Sequence, residues 1–211
     1  MAPSFVVSFC EHKDAKLVRN GLLSQWRGYA AGGYCLVFNK DRLVELLNDD
    51  MKSSKDCSFA CGPVDYHDEV GDDIVKPFND IFEVLVPALL NKDTNADEKI
   101  AELYPQMLQL VPFVKDGGFS EEKEFRAVLQ LMDIRRAIPD FSPTRELLHR
   151  EMSGVIVPYI RLFTKRTDLP LERIVVGPSL NAERRAQGVR SLLASLMIEA
   201  EVTISEIPFT G

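Results

Sequence analysis

With 211 residues, a net charge of −7, 45% hydrophobic and 27% charged residues, the chain has the make-up of an ordinary soluble globule. That length fits one domain, residues 1–211, with a real core and a helical insertion at about 70–115. The acidic balance excludes nucleic-acid binding driven by bulk electrostatics, although Arg184, Arg185 and Arg190 form a local basic patch. No apolar run approaches the roughly 18 residues of a membrane span, and Met1 to Val7 lacks a basic, apolar leader. The expectation is a cytoplasmic protein whose four cysteines are reduced.

Ser4 to Cys10 reads as a strand rich in aromatic and β-branched residues. Glu11 to Asn20 is polar, a loop or short helix. Gly33 to Phe38 is a second strand, and Asp41 to Leu47 opens a helix with Leu43, Leu46 and Leu47 on one face. Val64 to Tyr66 is expected as a brief strand after a Gly62-Pro63 turn. Asp72 to Leu90 and Asp97 to Val111 then carry apolar residues at helical spacing, which predicts an inserted αα-hairpin packed on the core. Strands return at Phe125 to Met132, Val155 to Phe163 and Arg173 to Val176. A helix from Ala182 to Met197 follows, with Asn181 as its N-cap, and Val202 to Phe209 closes the chain as a strand. The fold class is α+β, a mostly antiparallel sheet with an inserted αα-hairpin and a C-terminal helix.

The run Phe119-Ser120-Glu121-Glu122-Lys123-Glu124-Phe125-Arg126-Ala127-Val128-Leu129 stands apart. Read as one strand, it puts Glu122, Glu124, Arg126 and Val128 on one face. Two carboxylates and a guanidinium on one pleated face belong in a cleft, because buried charges need water or partners. The plainer alternative is a surface strand with a Glu–Arg pair, which contributes only about 0–1 kcal/mol.

Several pieces together resemble the domain of unknown function 2971 family of bacterial and archaeal proteins. They are Ser8-Phe9, Leu22-Leu23-Ser24-Gln25-Trp26-Arg27-Gly28-Tyr29 with Gly33 to Phe38, and Lys115 with Phe119, Glu122, Glu124 and Arg126. Ile174-Val175-Val176-Gly177-Pro178 and Ser205-Glu206-Ile207-Pro208-Phe209 complete the set. The Ser-Gln-Trp-Arg-Gly-Tyr run is the most specific. Family members usually carry a further N-terminal segment, so a shortened member is expected. The layout also resembles ADP-ribosyltransferases, whose split antiparallel sheet grips a nicotinamide dinucleotide and places a catalytic glutamate on a late strand. By that analogy of fold and site, Glu124 stabilises an oxocarbenium-like state and Glu122 activates an acceptor.

The remaining candidates follow from that cleft. Arg27 suits a pyrophosphate, and the rings of Trp26 or Tyr29 suit an adenine or nicotinamide. The alternative has Trp26 anchoring the core and Arg27 pairing with Glu122 or Glu124. Ser8 or Ser24 offers a hydroxyl to a ribose. Gly177 to Asn181 ahead of Arg184 and Arg185 reads as a turn plus cap rather than a phosphate loop. Cys57-x-x-x-Cys61 with His67, and Cys10-x-His12, match no standard zinc spacing, so no metal is assigned. The cofactor-binding set is therefore Ser24, Trp26, Arg27, Tyr29 and Arg126, and the catalytic pair is Glu122 and Glu124. NAD is a substrate with no cofactor required, and no membrane or general nucleic-acid partner is expected. The competing reading is a non-catalytic interaction module whose Glu/Arg cluster is a structural ion network. A nuclease ranks last, because the two glutamates lack a completing metal motif.

Overall fold

Inward-turned Phe5, Val7 and Phe9 alternate with exposed Ser4, Val6, Ser8 and Cys10, which makes Ser4–Cys10 (β1) a one-sided edge strand. The computed structural model describes residues 4–30, 33–52, 54, 57–68, 83, 86–87, 110–131, 144–163 and 168–208. After β1 come helix α1 (Ala15–Asn20), a helical turn (Leu23–Gln25) continuing as a π-helical turn (Trp26–Ala30), and strand β2 (Tyr34–Phe38). Helix α2 (Lys40–Lys52), β3 (Cys57–Pro63) and β4 (Asp65–His67) follow. A 3-10 turn (Val111–Phe113) leads to β5 (Val114–Asp116), a second 3-10 turn (Gly117–Glu122) and β6 (Glu124–Leu131). The chain continues through β7 (Leu148–Met152), β8 (Val155–Tyr159), β9 (Leu171–Val176), α3 (Ala182–Leu196) and β10 (Glu201–Ile204).

These elements fall into two compact units, Met1–Glu11 with Asp56–Phe141, and His12–Lys55 with Ser142–Gly211. In the first, β6 lies between β1 and β3 and pairs antiparallel with both. Its consecutive Ala127, Val128 and Leu129 are all buried, as a central strand covered on both faces requires. A separate parallel pair, β4 with β5, sets Tyr66 opposite Lys115.

In the second unit, β9 lies between β10, parallel to it, and β2, antiparallel. Helix α3 makes the crossover from β9 to β10 that a parallel pair needs. Its Val189 and Leu193 bury against Ile174, with Leu171, Ala200 and Val202 around them. Each such side chain contributes about 1.5–3 kcal/mol by leaving water. On α2, Leu43, Leu47 and Met51 are buried at helical spacing. Strands β7 and β8 form an antiparallel hairpin.

Antiparallel ladders outnumber parallel ones among the described residues, and α3 is the C-terminal helix, so the protein is α+β. The αα-hairpin expected over 72–114 lies almost wholly outside the described residues, although its end at Val111–Phe113 is a 3-10 turn. Two expectations are corrected. Gly62 and Pro63 do not turn: they pair with Arg126 and Phe125 at the end of an edge strand, where proline's missing N–H is tolerated. The strand expected over Val155 to Phe163 stops at Tyr159, and the carbonyls of Arg161 and Leu162 accept from Arg145 instead. Asn181 takes the N-cap of α3 as expected, without a side-chain cap bond; its carbonyl accepts from the Arg185 N–H.

A polar knot fixes the π-helical turn. The buried Asn20 carbonyl accepts from Trp26 Nε1 at 2.8 Å and from Ser205 Oγ at 2.7 Å, and Asn20 Oδ1 accepts from the Glu206 N–H. Gly21 follows with φ 73° and ψ 174°, a backbone region that is essentially glycine-only. A Cβ there would lie 2.7 Å from Trp26 Nε1. Gly21→Ala is therefore expected to lose about 1–3 kcal/mol or more in urea unfolding, from strain alone before the clash is counted. An unchanged midpoint would contradict this account of the turn.

Candidate active site

Glu124 opens β6 immediately after a break. Asp116 caps the Gly118 N–H and starts the 3-10 turn over Gly117–Glu122, and Lys123 then adopts left-handed backbone at φ 43°. The single strand expected from Phe119 to Leu129 is thus corrected: it begins at Glu124, and Glu122 does not reach the site by alternation. The turn carries it there. The Lys115 ammonium donates to Glu122 Oε2 at 2.7 Å and to Glu124 Oε1 at 2.5 Å. Arg126, two residues along the same face of β6, donates from Nε to Glu124 Oε2 at 2.5 Å and from its terminal nitrogen to the Pro112 carbonyl. The Tyr66 hydroxyl accepts from the Glu124 N–H at 2.8 Å.

The cluster is mostly dry. Glu124 is 6% exposed, Glu122 is buried, and Lys115 and Arg126 are largely covered. Burial by itself would raise the Glu124 carboxyl. Hydrogen bonds from Arg126, Lys115 and the neighbouring Glu122 outweigh it and hold the group down to about 2. At Lys115 burial pulls downward, and the two glutamates more than reverse it, so its ammonium is held above the ordinary lysine value. Glu124 is therefore an anion at every physiological pH and has no proton to give.

This sets a pH dependence. An unfolded glutamate titrates near pH 4.3, well above the folded Glu124, so the unfolded chain binds more protons in between. The stabilisation from Glu124 is full above about pH 5 and is lost as pH falls toward about 2. Lys115 contributes in the opposite sense, its share being lost only as pH rises through its raised folded value. Urea midpoints measured from pH 7 to pH 2 should fall across the acid window. A flat profile there would contradict the pairing.

The other sequence candidates lie in the second unit. Trp26 is 5% exposed and hydrogen-bonded through its indole, as the anchoring alternative has it. Arg27 and Ser24 are exposed, and Tyr29 is 74% exposed on the π-helical turn. Turns of this kind recur at functional positions. In the first unit, exposed Ser8 and Cys10 sit directly across β1 from Arg126 and Glu124. His67 contacts Asp65 on β4. Among the described residues, no group of three or more His, Cys, Asp or Glu could hold a metal ion, and no helix is long and apolar enough to cross a membrane.

Two groups escaped the sequence reading as site members. Lys115 entered it only as a motif position, and Tyr66 only as a strand end. Their approach to Glu124 depends on the parallel pairing of two three-residue strands, for which local periodicity carries no signal.

Fold and cluster together define an α+β protein built around a buried carboxylate pair held by cations. Residues 25–127 match the model of a family described as "Protein of unknown function (DUF2971)". This is the family its motifs resemble, and the matched span, just under half of the chain, includes Trp26, Arg27, Lys115, Glu122, Glu124 and Arg126. Neither the curated proteins nor the solved structures gave a match.

Proposed function

We propose that the cluster of the first unit is a reaction centre in which Glu124 supplies a fixed negative charge, and that the reaction is ADP-ribosyl transfer from NAD to an acceptor. One observation supports this above others: a buried carboxylate clasped on its two oxygens by Lys115 and Arg126, each at 2.5 Å, an arrangement that holds its carboxyl below the ordinary range. Such a group is suited to electrostatic stabilisation and unsuited to general acid work. In the proposed reaction the C1′–N bond of the nicotinamide riboside breaks, and nicotinamide leaves with the bonding pair. The ribose carbon develops positive charge, as in glycoside cleavage. The acceptor's nucleophile then bonds to C1′, and its proton passes to Glu122 or to water.

Arg27 and Tyr29, exposed on their own turn in the second unit, carry a guanidinium and a ring, groups whose chemistry suits phosphates and bases. Isothermal titration of the full chain with NAD tests the reading. Saturable heat that weakens in Arg27→Ala is the expected result. No heat at millimolar NAD would sink it.

A second reading has its own observation. Both oxygens of Glu124 are already engaged, and the charges of Lys115, Arg126, Glu122 and Glu124 cancel. Under it the chain is an interaction module and the quartet a structural ion network. Breaking the quartet would then change stability and nothing else.

A further inference from the structure

Lys115 is the one cation among the described residues that touches both carboxylates. Arg126 reaches only Glu124. With Nζ at 2.7 Å from one glutamate and 2.5 Å from the other, the two bound oxygens lie no more than about 5 Å apart. Two carboxylates that close, in a site shielded from water, repel strongly enough to take up a proton between them. A cation set between them relieves that repulsion, and the position of Lys115 supplies one. β4–β5 pairing sets Lys115 opposite Tyr66, whose hydroxyl fixes the Glu124 backbone while the ammonium fixes its side chain. The Phe119 ring lies 4.4 Å from Nζ and favours the charged amine.

We infer that Lys115 is the positioning residue of the Glu122–Glu124 pair, the cation that holds the two carboxyl groups at contact distance and keeps Glu124 charged beside its neighbour. It touches no substrate in this assignment. It acts through the glutamates, as a built-in counter-ion that decides whether the site is a fixed anion or a proton-carrying dyad. The charged and titratable groups facing it are Glu122 from the 3-10 turn, Glu124 and Arg126 from β6 and the Tyr66 hydroxyl from β4. Cys10 of β1 stands opposite Glu124. The catalytic meaning rests on the reaction-centre reading above, but protonation can be measured without substrate, so each can fail alone.

The test is a carbon-13 NMR pH titration of the full chain labelled at glutamate side-chain carboxyls, with the Glu124 resonance assigned by its loss in Glu124→Gln. Lys115→Met should raise the Glu124 midpoint by about one pH unit or more, a tenfold change in proton affinity, whereas Lys115→Arg should restore it toward the wild-type value. A role confined to packing would leave the midpoint where it is. A folded Lys115→Met chain with an unmoved Glu124 midpoint would overturn the inference and leave Arg126 as the group that holds the charge. Should Lys115→Met not fold, the wild-type chain decides. The Lys115 side-chain carbon next to Nζ must show an inflection at the pH where Glu124 takes up its proton, and a resonance blind to that event would equally overturn it.

Discussion

Arg145→Met is expected to cost the second unit about 3–5 kcal/mol, the largest stability effect of any substitution considered for this chain. The guanidinium is 1% exposed and every nitrogen is engaged. Nε donates to Ser54 Oγ at 3.0 Å, one terminal nitrogen to the Arg161 and Leu162 carbonyls, and the other to the Asp50 carbonyl at 3.0 Å and Asp50 Oδ2 at 2.7 Å. Asp50 lies in the last turn of α2, where free carbonyls and the helix dipole already favour a cation. Methionine fills much of the volume but takes the guanidinium's bonds away from the Asp50 carboxylate and three carbonyls. That penalty exceeds the worth of the pair itself, because the abandoned groups stay largely out of water. Against a total of about 5–15 kcal/mol for an ordinary domain, the loss is severe. Urea unfolding followed by circular dichroism measures it. Arg145→Lys should recover only part, since an ammonium cannot reproduce a five-donor planar fork. A midpoint close to wild type in Arg145→Met would show that the clamp contributes little.

Glu124→Gln should reduce NAD turnover by roughly 100-fold or more if Glu124 is the stabilising charge, a size typical of losing one electrostatic group in an active site. The amide keeps the shape and removes the charge. It also turns a donor toward Arg126 or Lys115, each of which already donates to this side chain. Some stability is lost as well, and that loss should fade at acid pH, where the native carboxylate would itself be protonated. The two readings of the site diverge here. An enzyme loses turnover while still binding NAD, whereas an ion network loses stability in a chain that never responded to NAD. Full turnover in a folded Glu124→Gln protein would remove the residue from its proposed role. Because Glu124 holds its charge down to about pH 2, any fall in activity between pH 6 and pH 4 would have to come from another group.

Much of the fold could be read locally. The aromatic and β-branched alternation of Ser4–Cys10, the apolar Ile174-Val175-Val176 run and the periodic Ala186, Val189 and Leu193 each carry their own signal. The alternation from Glu122 to Leu129 misled because it continues unbroken through a residue whose backbone is left-handed. That conformation is held from outside the run: the Lys123 carbonyl accepts from the Glu11 N–H, a long-range bond that no window of sequence contains. Glu122, Glu124 and Arg126 were legible as a charged group, but the side chain that joins the two carboxylates was not. Lys115 sits seven residues before Glu122, on β5, and its role appears only once β4 and β5 pair. Arg145 gave no warning at all. A lone arginine among polar neighbours reads as solvated, and only the closing of Ser54, Asp50 and Leu162 around it makes it interior.

The interleaving of the two units bears on how the chain is made. Each is discontinuous, with breaks after Glu11, Lys55 and Phe141, so no continuous stretch consists of one unit alone. A fragment cut to residues 25–127 would lack β1 and end partway along β6, leaving its central strand with an open edge and a severed ladder. Such an edge invites pairing between molecules, so the fragment is a poor choice for expression. During synthesis the first unit can close once residue 141 has left the ribosome, while α1, the Trp26 turn and α2 must wait for α3 and β10. The segment with the chain's only tryptophan thus spends its first moments without Ser205 and Glu206, whose bonds to Asn20 complete the polar knot at its turn.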